Sequence, residues 1–191
     1  MQFPVRTGAL GLRLVTALIN KPNTTVFAGA RDPLNAKALI NNLQLSHPNL
    51  HIVKLTSGNV EDNAAAVAAI KFKSGRLDVV IANAGIAKSV GSIDTTPIED
   101  FREHLEVNTL GPLVLRQAVF QLLLVSPTSE AYFGVISSAL GSIGNYSRSR
   151  NLFSGVSKAA INYLVKALHV EHEAENFVAT ALYPGWVETE L

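Results

Sequence analysis

The side chains with most to offer a reaction are two serines, a lysine and an asparagine. Ser138 closes a Ser-Ser pair after a β-branched run, Ser154 and Lys158 stand four residues apart, and Asn108 interrupts a long apolar stretch. An interval of four puts two side chains one turn apart on the same helix face. Hydroxyl, amine and amide groups are the kinds of side chain that hydrogen-bonding and proton-transfer chemistry draw on. A second group suits phosphate: Gly8 and Gly11 with Arg13 beside them, and Arg31 after another β-branched run. Glycine-loop amides at a helix start and a nearby guanidinium are donors for an anion. The chain contains no cysteine, which excludes thiol nucleophiles, thiolate zinc sites, iron–sulfur clusters and disulfide scaffolds.

Alternation of short strands with longer helices is what must position these groups. Strands are expected at Thr24 to Ala28, His51 to Leu55, Leu77 to Ala82, Tyr132 to Ser137 and Phe177 to Leu182, with a degenerate first strand at Phe3 to Thr7. Helices are expected at 11–20, 34–45, 62–72, 98–124 and 154–175. This order predicts an α/β fold, a Rossmann-like doubly wound parallel sheet of about six strands with helices on both faces. With 191 residues, 48% of them hydrophobic, and no linker or repeat, the chain reads as one domain over residues 1–191. In such sheets ligands bind beyond the carboxyl ends of the strands, where most of the reactive residues fall.

Net charge is +1, without the clustered lysine and arginine that nucleic acid binding demands. Arg116, Gln117 and Gln121 break the apolar run from Leu113 to Val125, so no membrane span is expected. Arg6 and Arg13 are wrong for a secretory signal. The sequence therefore reads as a cytoplasmic protein with a small-molecule partner, and with no metal site.

The residues after each strand, Asn83-Ala84-Gly85, the stretch Ser137 to Gly144 and Pro184-Gly185-Trp186-Val187-Glu188-Thr189, taken with Asn108 and Lys158, resemble the short-chain dehydrogenase/reductase family. Phe27 to Pro33 and Ser137 to Gly144 bring it nearest to fungal ketoreductases acting on polyketide-type ketones. The resemblance implies a nicotinamide cofactor, NADP(H), with Arg31 toward a 2′-phosphate. It also implies Asn59 at adenine, Gly8 and Gly11 at the pyrophosphate, and Asn83, Ala84, Gly85, Lys158, Pro184, Gly185 and Thr189 along the remainder. For chemistry it implies Ser138 polarising a carbonyl, Lys158 tuning the acid and holding ribose, and Asn108 supporting a proton relay.

The same resemblance locates the departures. The family's tyrosine, four residues before the lysine, is Ser154 here. An aliphatic hydroxyl is a far weaker acid than a phenol near pKa 10. Tyr146 is the one other tyrosine considered as a substitute; Tyr163 is expected at an interface or in the core, and His169 and His172 on a solvated or subunit-facing surface. The glycine loop is short, and the family's substrate-covering helix and seventh strand have no counterpart before Leu191, so an exposed last strand is expected. A homo-oligomer is expected, and the face of Leu113, Leu115, Val119, Leu122 and Leu123 suits either a dimer or the sheet. Three functions follow: an NADP(H)-linked ketoreductase with an atypical active site, a non-redox enzyme of secondary metabolism performing cyclisation, isomerisation or dehydration, or a catalytically silent binding module.

Overall fold

The computed structural model describes residues 9–36, 43–88, 91–126, 131–146 and 151–185. Five strands lie among them: β1 (Val26–Ala30), β2 (Leu50–Lys54), β3 (Val79–Ala82), β4 (Ala131–Ile136) and β5 (Phe177–Leu182). β1 pairs with β2, while β3, β4 and β5 pair in that order, all in parallel. The five strands stand within two residues of their expected starts, because β-branched runs bounded by polar turns leave little freedom. The expected strand at Phe3 to Thr7 lies outside the described residues, as do residues 37–42 of the expected helix at 34–45, whose beginning forms a 3-10 turn at Pro33–Asn35.

Side-chain alternation along the strands builds two cores. Phe27 of β1 and Val80 and Ala82 of β3 join one cluster with Ile70, Leu115, Val119, Ile161 and Phe177. Val26, Ala28 and Ala30 join the other with Val15, Leu18 and Leu50, against which Val79 and Ile81 pack. Successive residues of β1 and β3 thus serve opposite faces, as a period of two requires. Helix α1 (Ala9–Ile19) covers one face; α2 (Val60–Ser74), α4 (Gly111–Leu124) and α5 (Leu152–Glu171) cover the other.

The expected helix over 98–124 is three pieces: α3 (Ile98–Leu105), one π-helical turn (Glu106–Leu110) and α4. The described residues hold one such run long and apolar enough to cross a membrane by length and composition, Ile98–Leu124. Its residues Leu115, Val119, Leu122 and Leu123 are buried in the core beneath the sheet. Of the two expectations for that face, these four residues follow the sheet, while Leu113 stays partly exposed.

Candidate active site and cofactor cleft

The π turn aims Asn108. Widening the helix by one residue turns its side chain, fully buried, toward the loop that leaves β3. Its Oδ1 accepts from the Ile86 amide at 2.8 Å, and its Nδ2 donates to the Ile86 carbonyl at 2.9 Å and to Ser157 Oγ at 3.0 Å. Ser157 Oγ donates in turn to the Ser154 carbonyl at 2.8 Å. The loop after β3 and the first turn of α5 are therefore locked to one asparagine.

His104, also fully buried, holds the same loop further on. Its Nδ1 donates to the Asp100 carbonyl at 2.6 Å, and its Nε2 accepts from the Lys88 amide at 3.2 Å. A histidine with one nitrogen donating and the other accepting is a neutral imidazole of fixed tautomer. Nothing in the sequence pattern singled it out, since a lone histidine in an amphipathic helix reads as surface.

Lys158 projects from α5 against the end of β4, where its Nζ donates to the Ile136 carbonyl at 2.6 Å. It is 7% exposed, and burial pushes its pKa down to about 8. A Cβ placed on Gly85 would stand 3.3 Å from Asn108 Oδ1 and 3.4 Å from Lys158 Nζ, so these three residues converge. Ser138 lies two residues beyond the carbonyl that Lys158 engages, where its Oγ accepts from the Leu140 amide at 3.2 Å. Ser137 is buried and donates to Asn162 Oδ1 at 2.6 Å, leaving Ser138 as the less buried of the pair. Ser154 is 4% exposed on the same face of α5 as Lys158.

Tyr146 stands elsewhere. It lines a separate groove of about 260 Å³ with Leu140, Ile143, Leu152, Gly155 and Val156. Ala159 of α5 also lines it, and neither Ser154 nor Lys158 is among its walls. Tyr163 is 78% exposed rather than core. His172 is half-buried, its ring 4.7 Å from that of Phe120, so it belongs partly to the packing beneath α4.

Beyond the carboxyl ends of β1, β2 and β3 lies a cavity of about 140 Å³. Gly29, Arg31, Thr56, Ser57, Asn83 and Ala84 are among its walls, with Lys88, Glu103 and Val107 on the opposite side. Gly111 also lines it, and a Cβ there would collide with Ser57 Oγ, which donates to the Val107 carbonyl at 3.0 Å. The absence of a side chain at 111 is what lets α4 approach the turn after β2.

Asn59 is exposed at the start of α2, which it caps by accepting from the Asp62 amide at 2.6 Å. Thr56 and Ser57, immediately after β2, line the cavity, and Asn59 is not among its walls. Gly11 is buried inside α1 and Arg13 is exposed; Pro184 and Gly185 are exposed at the end of β5, and Gly8 and Thr189 lie outside the described residues. Among the described residues no group of acidic, histidine or cysteine side chains could hold a metal ion.

The short chain dehydrogenase family model matches residues 6–191. An uncharacterized oxidoreductase of Schizosaccharomyces pombe is 36% identical over 183 residues, spanning 95% of this chain and 71% of the relative. Norsolorinic acid ketoreductase of Aspergillus parasiticus is 34% identical over 194 residues, spanning 97% and 70%. Among solved structures, the NADPH-bound carbonyl reductase from chicken fatty liver superposes with a TM-score of 0.88 at 32% identity, covering 98% of this chain and 80% of that one. The carbonyl reductase Sniffer of D. melanogaster gives 0.89 at 29%, covering 99% and 82%. With the sheet, the cleft beyond its carboxyl edge and the Asn108–Lys158 pair already in view, these matches place the chain in the short chain dehydrogenase family.

Proposed function

We propose that this chain is an NADP(H)-linked carbonyl oxidoreductase whose proton donor is not a tyrosine. The observation that carries the reading is the convergence of Asn108, Lys158 and Gly85 on the loop after β3, whose Asn83, Ala84 and Ile86 line the cavity together with Arg31. The residues fit the cofactor: Arg31 stands at the cavity wall, with Lys88, paired with Glu103, on the opposite side and hydroxyls from Thr56 and Ser57 between them. Arg31 would meet the 2′-phosphate, Asn83 and Ala84 would line the nucleoside, and Lys158 would reach the ribose while anchored on Ile136. When bound, the cofactor supplies the hydride. Ser138 orients the carbonyl oxygen of a ketone, by kinship with the norsolorinic acid ketoreductases one of polyketide type.

Proton delivery falls to Lys158, whose amine near pKa 8 can donate around neutral pH. Ser154, short and weakly acidic, does not replace a phenol. The cost relative to a phenol-bearing site is about 10²–10⁴ in rate. The test is reduction of aromatic ketones followed by NADPH consumption, for the natural chain and for Ser154→Tyr. The variant should gain about 10²-fold or more. Failure to bind NADPH at millimolar concentration would overturn the proposal.

A second reading is favoured by the same departure. With Ser154 buried and Tyr146 in a groove that neither Ser154 nor Lys158 lines, the chain would bind the dinucleotide without turnover. Tight NADPH binding with no ketone reduction in the natural chain would select it.

A further inference from the structure

We propose that His104 is a positioning residue for the cofactor: by holding the Lys88 amide it keeps one wall of the cleft in its binding-competent place. The inference rests on the dinucleotide reading above and adds a residue that neither the sequence motifs nor the comparisons assign.

The loop after β3 and the helical rod over 98–110 run antiparallel and meet at two points. Asn108 engages both backbone groups of Ile86, and His104, four residues earlier, accepts from the amide of Lys88. Four helical residues advance about 6 Å and two residues of drawn-out chain about 6.6 Å, so the two points match in spacing. Two side chains thus do for this loop what a neighbouring strand does in a sheet.

The residues beside these two face the cavity. Glu103 and Val107 line it from the helix, and Ile86 and Lys88 line it from the loop. Glu103 Oε1 also accepts from Lys88 Nζ at 2.5 Å, so consecutive residues of α3 hold Lys88 by its ammonium and by its backbone. The two holds differ in strength. The side chains of Lys88 and Glu103 are 57% and 43% exposed, where an ion pair is screened and worth little, whereas His104 is fully buried. Anchoring therefore falls to the imidazole.

Its Nδ1 donates to the Asp100 carbonyl at 2.6 Å within the helix, which leaves the lone pair of Nε2 for the loop. Without that acceptor the Lys88 amide turns to water and the wall is held at Ile86 alone. Cofactor affinity then falls in proportion to the fraction of chains whose loop is still docked.

Two amide variants separate this role from simple support of the helix. In His104→Gln the side-chain oxygen reaches about as far as Nε2 and accepts from Lys88; in His104→Asn the side chain ends near the place of Nδ1 and meets only Asp100. NADPH affinity is read by calorimetry, with urea unfolding alongside. His104→Gln should bind within about twofold of the natural chain, and His104→Asn about fivefold or more weakly. If either fails to fold, Lys88→Pro against Lys88→Ala decides instead: only the first lacks the amide, and it should bind about fivefold more weakly than the second. Equal affinities within either pair would overturn the assignment while leaving the cofactor reading intact. Absence of NADPH binding to the natural chain at millimolar concentration would overturn both.

Discussion

Lys158 carries a penalty whose pH dependence can be worked out. An ordinary lysine titrates at 10.5, and burial brings this one to about 8. One pKa unit corresponds to about 1.4 kcal/mol, so forcing the charge into this site costs about 3 kcal/mol. Because the folded pKa is the lower one, the unfolded chain binds more protons between about pH 8 and 10.5, and stability rises with pH across that window. Below pH 8 the whole penalty is present; above 10.5 it is gone. The perturbation is Lys158→Met, which removes the titration and also deprives the Ile136 carbonyl of its donor. That second loss is nearly independent of pH and sets only the offset.

The assay is urea unfolding of both proteins at half-unit steps from pH 7 to 11. The difference in stability should move by about 3 kcal/mol in favour of the natural chain between pH 8 and 10.5, with other titrations cancelling. A flat difference would refute the reasoning, and would mean that the amine is solvated in the folded protein.

If Lys158 is the acid, ketone reduction should fall as pH rises through about 8, whereas Ser154→Tyr should lose that limb; stopped-flow rates against pH separate the two. Gly111→Ala should break the Ser57–Val107 bond by displacing Ser57, costing about 1–2 kcal/mol in denaturant unfolding and weakening NADPH in calorimetry. Asn176 sits at φ 53° where the last 3-10 turn meets β5, so Asn176→Ala should destabilise by about 1–2 kcal/mol while Asn176→Gly stays near neutral in thermal melts. Asn108→Leu removes three hydrogen bonds at a buried point joining the loop after β3 to α5, and a loss of about 3 kcal/mol or more is expected by urea unfolding.

Strand positions were legible because a β-branched run bounded by turn residues has few other homes, and Val79 to Ala82 shows it most clearly. The break at 106–110 was not legible. In an unbroken helix, His104, Asn108, Pro112, Leu115, Val119 and Leu122 fall on one face at spacings of three and four, so the apolar pattern gives no sign of an inserted turn. The capping role of Asn59 went unread: β2 closes at Lys54, which leaves Thr56 and Ser57 at its exit and Asn59 at the start of the next helix. The Asn59-x-x-Asp62 spacing is itself a capping signal and marks that residue as the start of α2. That Lys158 and Asn108 share a neighbourhood with Gly85 follows the motif order, but the histidine behind Lys88 and the orphaned oxygen of Asn63 depend on burial, which no single sequence displays.

The π turn acts as a phase shifter. Each inserted residue rotates everything downstream by about 100° about the helix axis. Upstream, α3 faces α5, where Phe101 stacks on Phe153 at 4.8 Å; downstream, α4 delivers Leu115, Val119 and Leu122 to the sheet and α2. A single rod thus serves two neighbours that do not share a direction. Deleting one residue within 106–110 would leave a better-formed α-helix and a worse protein, because it would correct the local geometry while swinging either the stacked ring or the core leucines out of place. Substitutions there are local events, whereas changes of length are rotations, and the reactive asparagine sits at the pivot.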